Sequence, residues 1–231
     1  MAEFHFVEDY QKIVQNLIAS CPTIDEAMAT AVGGNYLEIG QIEKNILLYA
    51  GLKPGMNIID FGCGSGRLAY ALPKEYNLNY LGIDIIDELL DYASSKAPKN
   101  YRFLNHRNFN IPAENESVDI ICAFSVFTHL LHHESYIYLE DMKRILKTGK
   151  GVLIFSFHEF GLPEHWNIFL STVADQKNGT SLHLNTFIEK SVIRTWADKL
   201  DFEVIEIING DEKKFEGKTL GQSVAILKKK L

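Results

Sequence analysis

The sequence predicts an α/β chain: a mostly parallel sheet covered by helices on both faces. Three observations carry this. Short apolar runs alternate with helix-length amphipathic stretches from Ile58 onward. A cluster of glycines lies where the first such run meets the next helix. The last two runs are joined by a short polar stretch with no crossover helix, so they pair antiparallel.

The elements follow in order. Residues 1–35 read as a helical cap, because Val7, Tyr10, Ile13, Val14, Leu17 and Ile18 fall at helical spacing before Pro22 and the Gly33-Gly34 corner. A helix over 38–50 puts Ile39, Ile42, Ile46, Leu47 and Ala50 on one face and stops at Gly51 and Pro54-Gly55. Strands are expected at 58–61, 80–83, 101–104, 118–124 and 152–157, and helices from Arg67, over 87–97 and over 134–146. The stretch 158–185 breaks the rhythm and reads as an insertion, or lid, after the fifth strand. Thr186 with Glu189 has the capping-box spacing and predicts a helix whose buried face is Phe187, Val192, Trp196 and Leu200. Strands at 202–208 and 223–227 finish the chain. The whole reads as one domain, 1–231: the cap, a core at 36–157, the insertion, and a C-terminal helix and hairpin at 186–231.

Composition sets bounds. With 231 residues and 46% hydrophobic content, the chain can bury a real core. Thirty acidic against 23 basic residues give a net charge of −7, which argues against a nucleic-acid backbone as partner. Lys228, Lys229 and Lys230 read as a solubilising tail beyond the last strand. Cys21, Cys63 and Cys122 form no CxxC pair, so neither a zinc site nor a disulfide framework is expected, and reduced thiols fit the cytoplasm. The N-terminus lacks the pattern of a secretion signal, and no apolar run is long enough to cross a bilayer.

The sharpest signal is Asp60-Phe61-Gly62-Cys63-Gly64-Ser65-Gly66-Arg67, which follows an apolar strand and opens a helix. Residues without a Cβ can take positive φ and let a ligand lie against the backbone. The helix start behind them presents N–H groups. Asp84 ends the next strand, about 20 positions on, where an acidic side chain accepts hydrogen bonds from ribose hydroxyls. The glycines read G-x-G-x-G rather than the dinucleotide G-x-G-x-x-G, and no Lys-Ser or Lys-Thr follows, which excludes a triphosphate P-loop.

With Asp60, Gly62, Gly64, Gly66, Asp84, the run 119–130 and the run 138–147, the sequence closely resembles the class I S-adenosylmethionine-dependent methyltransferases over about residues 36–157. The resemblance implies a Rossmann-like doubly wound sheet, mostly parallel with an antiparallel last strand, and S-adenosylmethionine as cofactor. It places Gly62, Cys63 and Gly64 beside the methionine part, Asp84 on the ribose and Ile85 against the adenine. For the adenine amino group the chain offers Asn105, Asn108 and Asn110, with Arg107 where some relatives have an acid; Asn108 and Phe109 are favoured. Phe124 and Ser125 would lie under the cofactor. The usual Lys-Pro-Gly-Gly turn is replaced by Lys147-Thr148-Gly149-Lys150-Gly151, a turn variant.

Methyl transfer from a sulfonium is an in-line displacement, in which the protein supplies alignment and excludes water. A general base is needed only for an acceptor that arrives protonated. His158 with Glu159 is the first candidate, then His129; His183 also qualifies by position. Each is equally readable as a hydrogen-bonded structural histidine. His132 and His133 read as exposed residues ahead of a helix, and the three neighbouring histidines lack a carboxylate or cysteine to complete a metal site. Phe4, Phe6, Tyr10 and Tyr36 before the core, and Phe157, Phe160, Trp166 and Phe169 after it, would line a lid or form the small core of a cap. Tyr36 is the favoured cofactor contact among them. Arg67 would anchor a carboxylate, either the cofactor's or the chain's own.

The expected function is methyl transfer to a small-molecule O or N acceptor. Three others stay open: a non-catalytic S-adenosylmethionine or S-adenosylhomocysteine binder, a protein methyltransferase, and an NAD-dependent oxidoreductase. The last is disfavoured by the glycine spacing and the lack of a Tyr-x-x-x-Lys pair.

Overall fold

A computed structural model describes residues 7–180 and 184–231. Phe4, Phe6 and His183 lie outside the described residues. The chain divides into two compact units, 1–108 and 109–231.

The first unit opens with α1 (Val7–Ser20) and α2 (Ile24–Ala31), then α3 (Tyr36–Tyr49). Thr23 caps α2 by accepting the Glu26 N–H at 3.2 Å. β1 (Asn57–Phe61), α4 (Arg67–Ala71), β2 (Asn79–Asp84), α5 (Asp87–Lys96) and β3 (Arg102–Asn105) follow. The strands lie in the order β3-β2-β1, all parallel, with Asn57 opposite Asn79 and Leu81 opposite Arg102. The cap is built on α5. Val14, Met28, Ile86 and Leu89 form a buried cluster, with Tyr10, Ala31, Ile85 and Tyr92 packed against it. The Tyr10 hydroxyl donates to the Ala31 carbonyl at 2.9 Å.

The second unit holds β4 (Ile120–Ala123), α6 (His132–Ile145), β5 (Val152–Phe157), α7 (Pro163–Asn178), α8 (Lys190–Lys199), β6 (Phe202–Ile208) and β7 (Ser223–Lys229). Its order is β4-β5-β7-β6. β4 and β5 are parallel; β7 runs antiparallel to both β5 and β6, with an irregularity between Val204 and Glu206. The antiparallel ending is the one expected from the short polar link.

Four readings change. The insertion contains a regular 16-residue helix, α7, which starts with Pro163 at a first-turn position and ends at left-handed Gly179. Thr186 is not a helix cap. Its N–H goes to the Thr128 carbonyl at 2.7 Å, and α8 starts four residues later with Glu189 as the flanking residue. The inward face of α8 is accordingly Ile193, Ala197 and Leu200, while Val192 and Trp196 are only half-buried. Finally, Lys228 and Lys229 belong to β7, not to a tail. Lys229 is buried, and its ammonium donates to the Leu146 carbonyl at 2.8 Å. Among the described residues no helix is long and apolar enough to cross a membrane.

Candidate functional site

The glycine loop is shaped by the ends of β1 and β2. The N–H groups of Gly62 and Cys63 both donate to the Ile83 carbonyl, at 2.8 and 3.0 Å. Gly62, Gly64 and Gly66 all have positive φ (74°, 53° and 81°), where a side chain is strained. At Gly66 a Cβ would stand 2.7 Å from the Ala93 Cβ of α5, so only glycine lets α4 start this close to α5.

Asp84 organises the loop from β2. One carboxylate oxygen accepts from Ile85 N at 2.7 Å and Ile86 N at 3.1 Å; the other accepts from Gly64 N at 2.8 Å. A carboxylate oxygen has two lone-pair sites, so the second keeps room for a further donor. Burial pushes the carboxyl up from its ordinary range, and the three N–H groups pull the other way. Asp60 accepts from the Tyr80 hydroxyl within the core.

The cap lies directly on this loop. Ser65 is fully buried and donates to the Met28 carbonyl at 2.9 Å, and the Tyr36 hydroxyl donates to the Ser65 carbonyl at 2.9 Å. Val32 approaches Gly64 so closely that a Cβ there would meet its Cγ1 at 2.6 Å. Arg67 takes the chain's own carboxylate. Its guanidinium contacts buried Glu43 at 2.6 and 2.8 Å and donates to the Val32 carbonyl at 2.6 Å. Ile85 packs against the cap cluster, and its carbonyl accepts from Asn105 at 3.3 Å and Arg107 at 2.9 Å. Asn108 is exposed. The residues fit a nucleoside cofactor: a loop that side chains would fill, an acidic acceptor with a spare lone pair, and an apolar neighbour in Ile85.

In the second unit, the polar candidates gather at the carboxyl ends of β4 and β5. Ser125 follows β4 with φ 59°, a left-handed conformation unusual for serine. It is held there by bonds on three sides. Its N–H donates to Ser156 Oγ at 2.7 Å, its hydroxyl to Gln222 at 3.2 Å, and its carbonyl accepts from Thr128 at 3.0 Å. Phe124 is buried, and Phe109 packs on Tyr138 with ring centroids 5.7 Å apart.

The carboxylate of Glu159 is engaged on both sides, by the Ser223 hydroxyl and by Lys190 at 3.2 Å. His165 accepts the Glu159 N–H at Nδ1 (3.1 Å) and sits 3.0 Å from the Gly221 carbonyl through Nε2. His129 Nδ1 lies 2.7 Å from the Leu184 carbonyl, so that nitrogen carries a hydrogen. His158 is 6% exposed, and its Nδ1 is buried with no partner among the described residues. Burial, then His165 and His129, lower its pKa from 6.5 to about 3. Its unfolded form therefore takes up a proton before its folded form does, and stability falls as pH drops below 6.5. In urea titrations from about pH 6 to pH 4, the wild type should lose stability more steeply than His158→Phe, by up to about 1.4 kcal/mol per pH unit.

Sequence reasoning missed Glu43, Ser156, His165, Lys190, Gln222 and Ser223. Two had a signal. Glu43 stands in the apolar stripe of Ile39, Ile42 and Ile46, and Ser156 interrupts a wholly apolar strand. The other four contact the site through tertiary packing alone.

Residues 58–149 match the family described as "Methyltransferase domain". Over 134 residues the chain is 31% identical to a ribosomal protein L11 methyltransferase of Dictyoglomus turgidum, covering 58% of this chain and 42% of that protein. It is 24% identical over 167 residues to a 2-methyl-6-phytyl-1,4-hydroquinone methyltransferase of Synechocystis, covering 71% of this chain and 46% of that protein. The chain thus spans less than half the length of these two relatives. A crystal structure of magnesium protoporphyrin IX methyltransferase from Synechocystis with bound S-adenosylhomocysteine shares the fold, with a TM-score of 0.64, 17% identity, and coverage of 94% and 93% of the two chains. The fold is therefore the Rossmann-like one expected, and residues 58–149 are similar to a methyltransferase domain.

Proposed function

We propose that the chain binds S-adenosylmethionine on the Gly62–Gly66 loop and transfers its methyl group to an oxygen or nitrogen of a small molecule. The observation that carries this is the carboxylate of Asp84 bound to Gly64 N–H at 2.8 Å, which sets an acidic acceptor and a side-chain-free backbone side by side. The cofactor supplies an electrophilic methyl on sulfur. Asp84 offers its remaining lone pair to ribose hydroxyls, and Ile85 offers an apolar wall. Asn108 follows β3, where it would meet a base. Gly62, the part-exposed member of the loop, allows close approach beside Cys63 and Gly64. Tyr36 acts on the loop through Ser65, and Arg67 through Glu43, as positioning residues. Asp60 is a strut beneath the loop. Phe109, Phe124 and Ser125 keep the cofactor role that the resemblance gives them, each open to single substitution.

Among the candidate bases, Glu159 is committed to Ser223 and Lys190 and serves as an anchor. His158 and His129 remain the candidates for contact with an acceptor. A small-molecule acceptor is supported by the names of two of the similar proteins, which refer to a hydroquinone and a porphyrin. A protein acceptor is the competing reading, favoured by the name of the L11 relative.

The test is transfer of tritiated methyl from S-adenosylmethionine to a panel of hydroquinones, phenols, porphyrins and amines, with ribosomal protein L11 as a separate arm. Label on a small molecule, with matching S-adenosylhomocysteine, is the expected result. Label on protein alone would replace the acceptor class. Cofactor binding without transfer to any arm would contradict the enzymatic reading.

A further inference from the structure

The second unit holds a buried polar atom that no described residue answers. His158 directly follows β5, on the same face of the extended chain as Ser156. Its Nδ1 is sealed from solvent and makes no hydrogen bond among the described residues. Buried polar atoms are nearly always paired, and the exceptions concentrate at functional sites. A bare lone pair costs less than a bare N–H, which favours the tautomer with the proton on Nε2 and an acceptor at Nδ1.

What covers this atom is thinly attached. α7 has 16 residues, and His165 alone among them is buried. That ring stands edge-on to His158, with centroids 4.7 Å apart, and it is tied to Glu159 N and the Gly221 carbonyl. The rest of the cover is aromatic and half open. Phe187 lies 5.6 Å from the His158 ring, and Phe160 is stacked on Phe187 at 4.8 Å. Phe160, Trp166 and Leu170 are 42%, 44% and 48% exposed. A helix with one buried anchor opens at low cost, and flat apolar rings beside it suit a flat apolar ligand.

We infer that α7 is a lid pinned by His165 over a binding site for a flat aromatic molecule bearing a hydroxyl, whose O–H donates to Nδ1 of His158. The inference deepens the methyltransferase reading only in naming this molecule as the acceptor; binding itself is independent of the cofactor.

The test uses the full chain and three probes: 2-naphthol, 2-methoxynaphthalene, which keeps the ring but cannot donate, and naphthalene. Equilibrium dialysis of the wild type should show 2-naphthol bound at least about tenfold more tightly than the other two. His158→Phe keeps a ring and removes the orphan. It should erase that preference while raising the melting temperature by about 2–4 °C. A merely structural histidine would instead lower it. His165→Ala should speed hydrogen exchange of the α7 amides about tenfold or more. Equal binding of 2-naphthol and 2-methoxynaphthalene to the wild type would overturn the proposal, as would a His158→Phe variant that keeps the preference. Heat from S-adenosylhomocysteine in the same samples reports separately on the cofactor reading.

Discussion

Asp84→Ala is expected to weaken S-adenosylhomocysteine binding by at least about 100-fold, or about 2.7 kcal/mol. Two losses combine. The three backbone bonds to Gly64, Ile85 and Ile86 disappear, leaving buried N–H groups without an acceptor at the turn that shapes the loop. The proposed bonds to the ribose go with them; hydrogen bonds to a charged acceptor contribute about 1.5–3 kcal/mol each. Asp84→Asn should fall between. Its oxygen can still serve Ile85 and Ile86, but its amide then turns N–H against the Gly64 N–H. Calorimetry on the three proteins checks the order. An Asp84→Ala affinity within about threefold of wild type would remove the carboxylate from the cofactor site.

Glu43→Ala is expected to cost about 3–5 kcal/mol of folding stability, more than any exposed ion pair could. Glu43 is 1% exposed and lies in the apolar stripe of α3. Burial pushes its carboxyl up, and the Arg67 guanidinium at 2.6 Å opposes that shift. Removing the carboxylate strands a guanidinium whose side chain is 11% exposed. Its remaining named partner is the Val32 carbonyl, which ties the cap to α4. The double variant Glu43→Ala/Arg67→Leu removes the stranded charge too and should recover at least half of the loss. Denaturant midpoints for the wild type, Glu43→Ala, Arg67→Leu and the double variant decide it. A single-variant loss under about 1 kcal/mol would show that the pair is not the latch described.

The alternation of strands and helices and the spacing of the glycines were readable because both follow from local rules: the periods of burial, and the positive φ that only glycine takes without strain. The shape of the glycine loop was legible for the same reason. Gly62, Gly64, Gly66 and Asp84 sit at the ends of elements whose order along the chain places them together. Arg67 left two readings, and only the fold shows that its partner is Glu43, 24 residues away. The α8 start was misplaced because Thr186 and Glu189 have capping-box spacing, while Thr186 is engaged by Thr128 from outside the helix. The environments of His158 and Glu159 could not be read either. One is an orphan and the other an anchor because of His165, Lys190 and Ser223, which tertiary packing alone brings to them.

The central claim is that the Gly62–Gly66 loop and Asp84 hold the nucleoside of S-adenosylmethionine. Isothermal titration of the full chain with S-adenosylhomocysteine tests it most directly. The account predicts saturable one-to-one heat that NAD does not reproduce. No heat from S-adenosylhomocysteine, or equal heat from NAD, would contradict it.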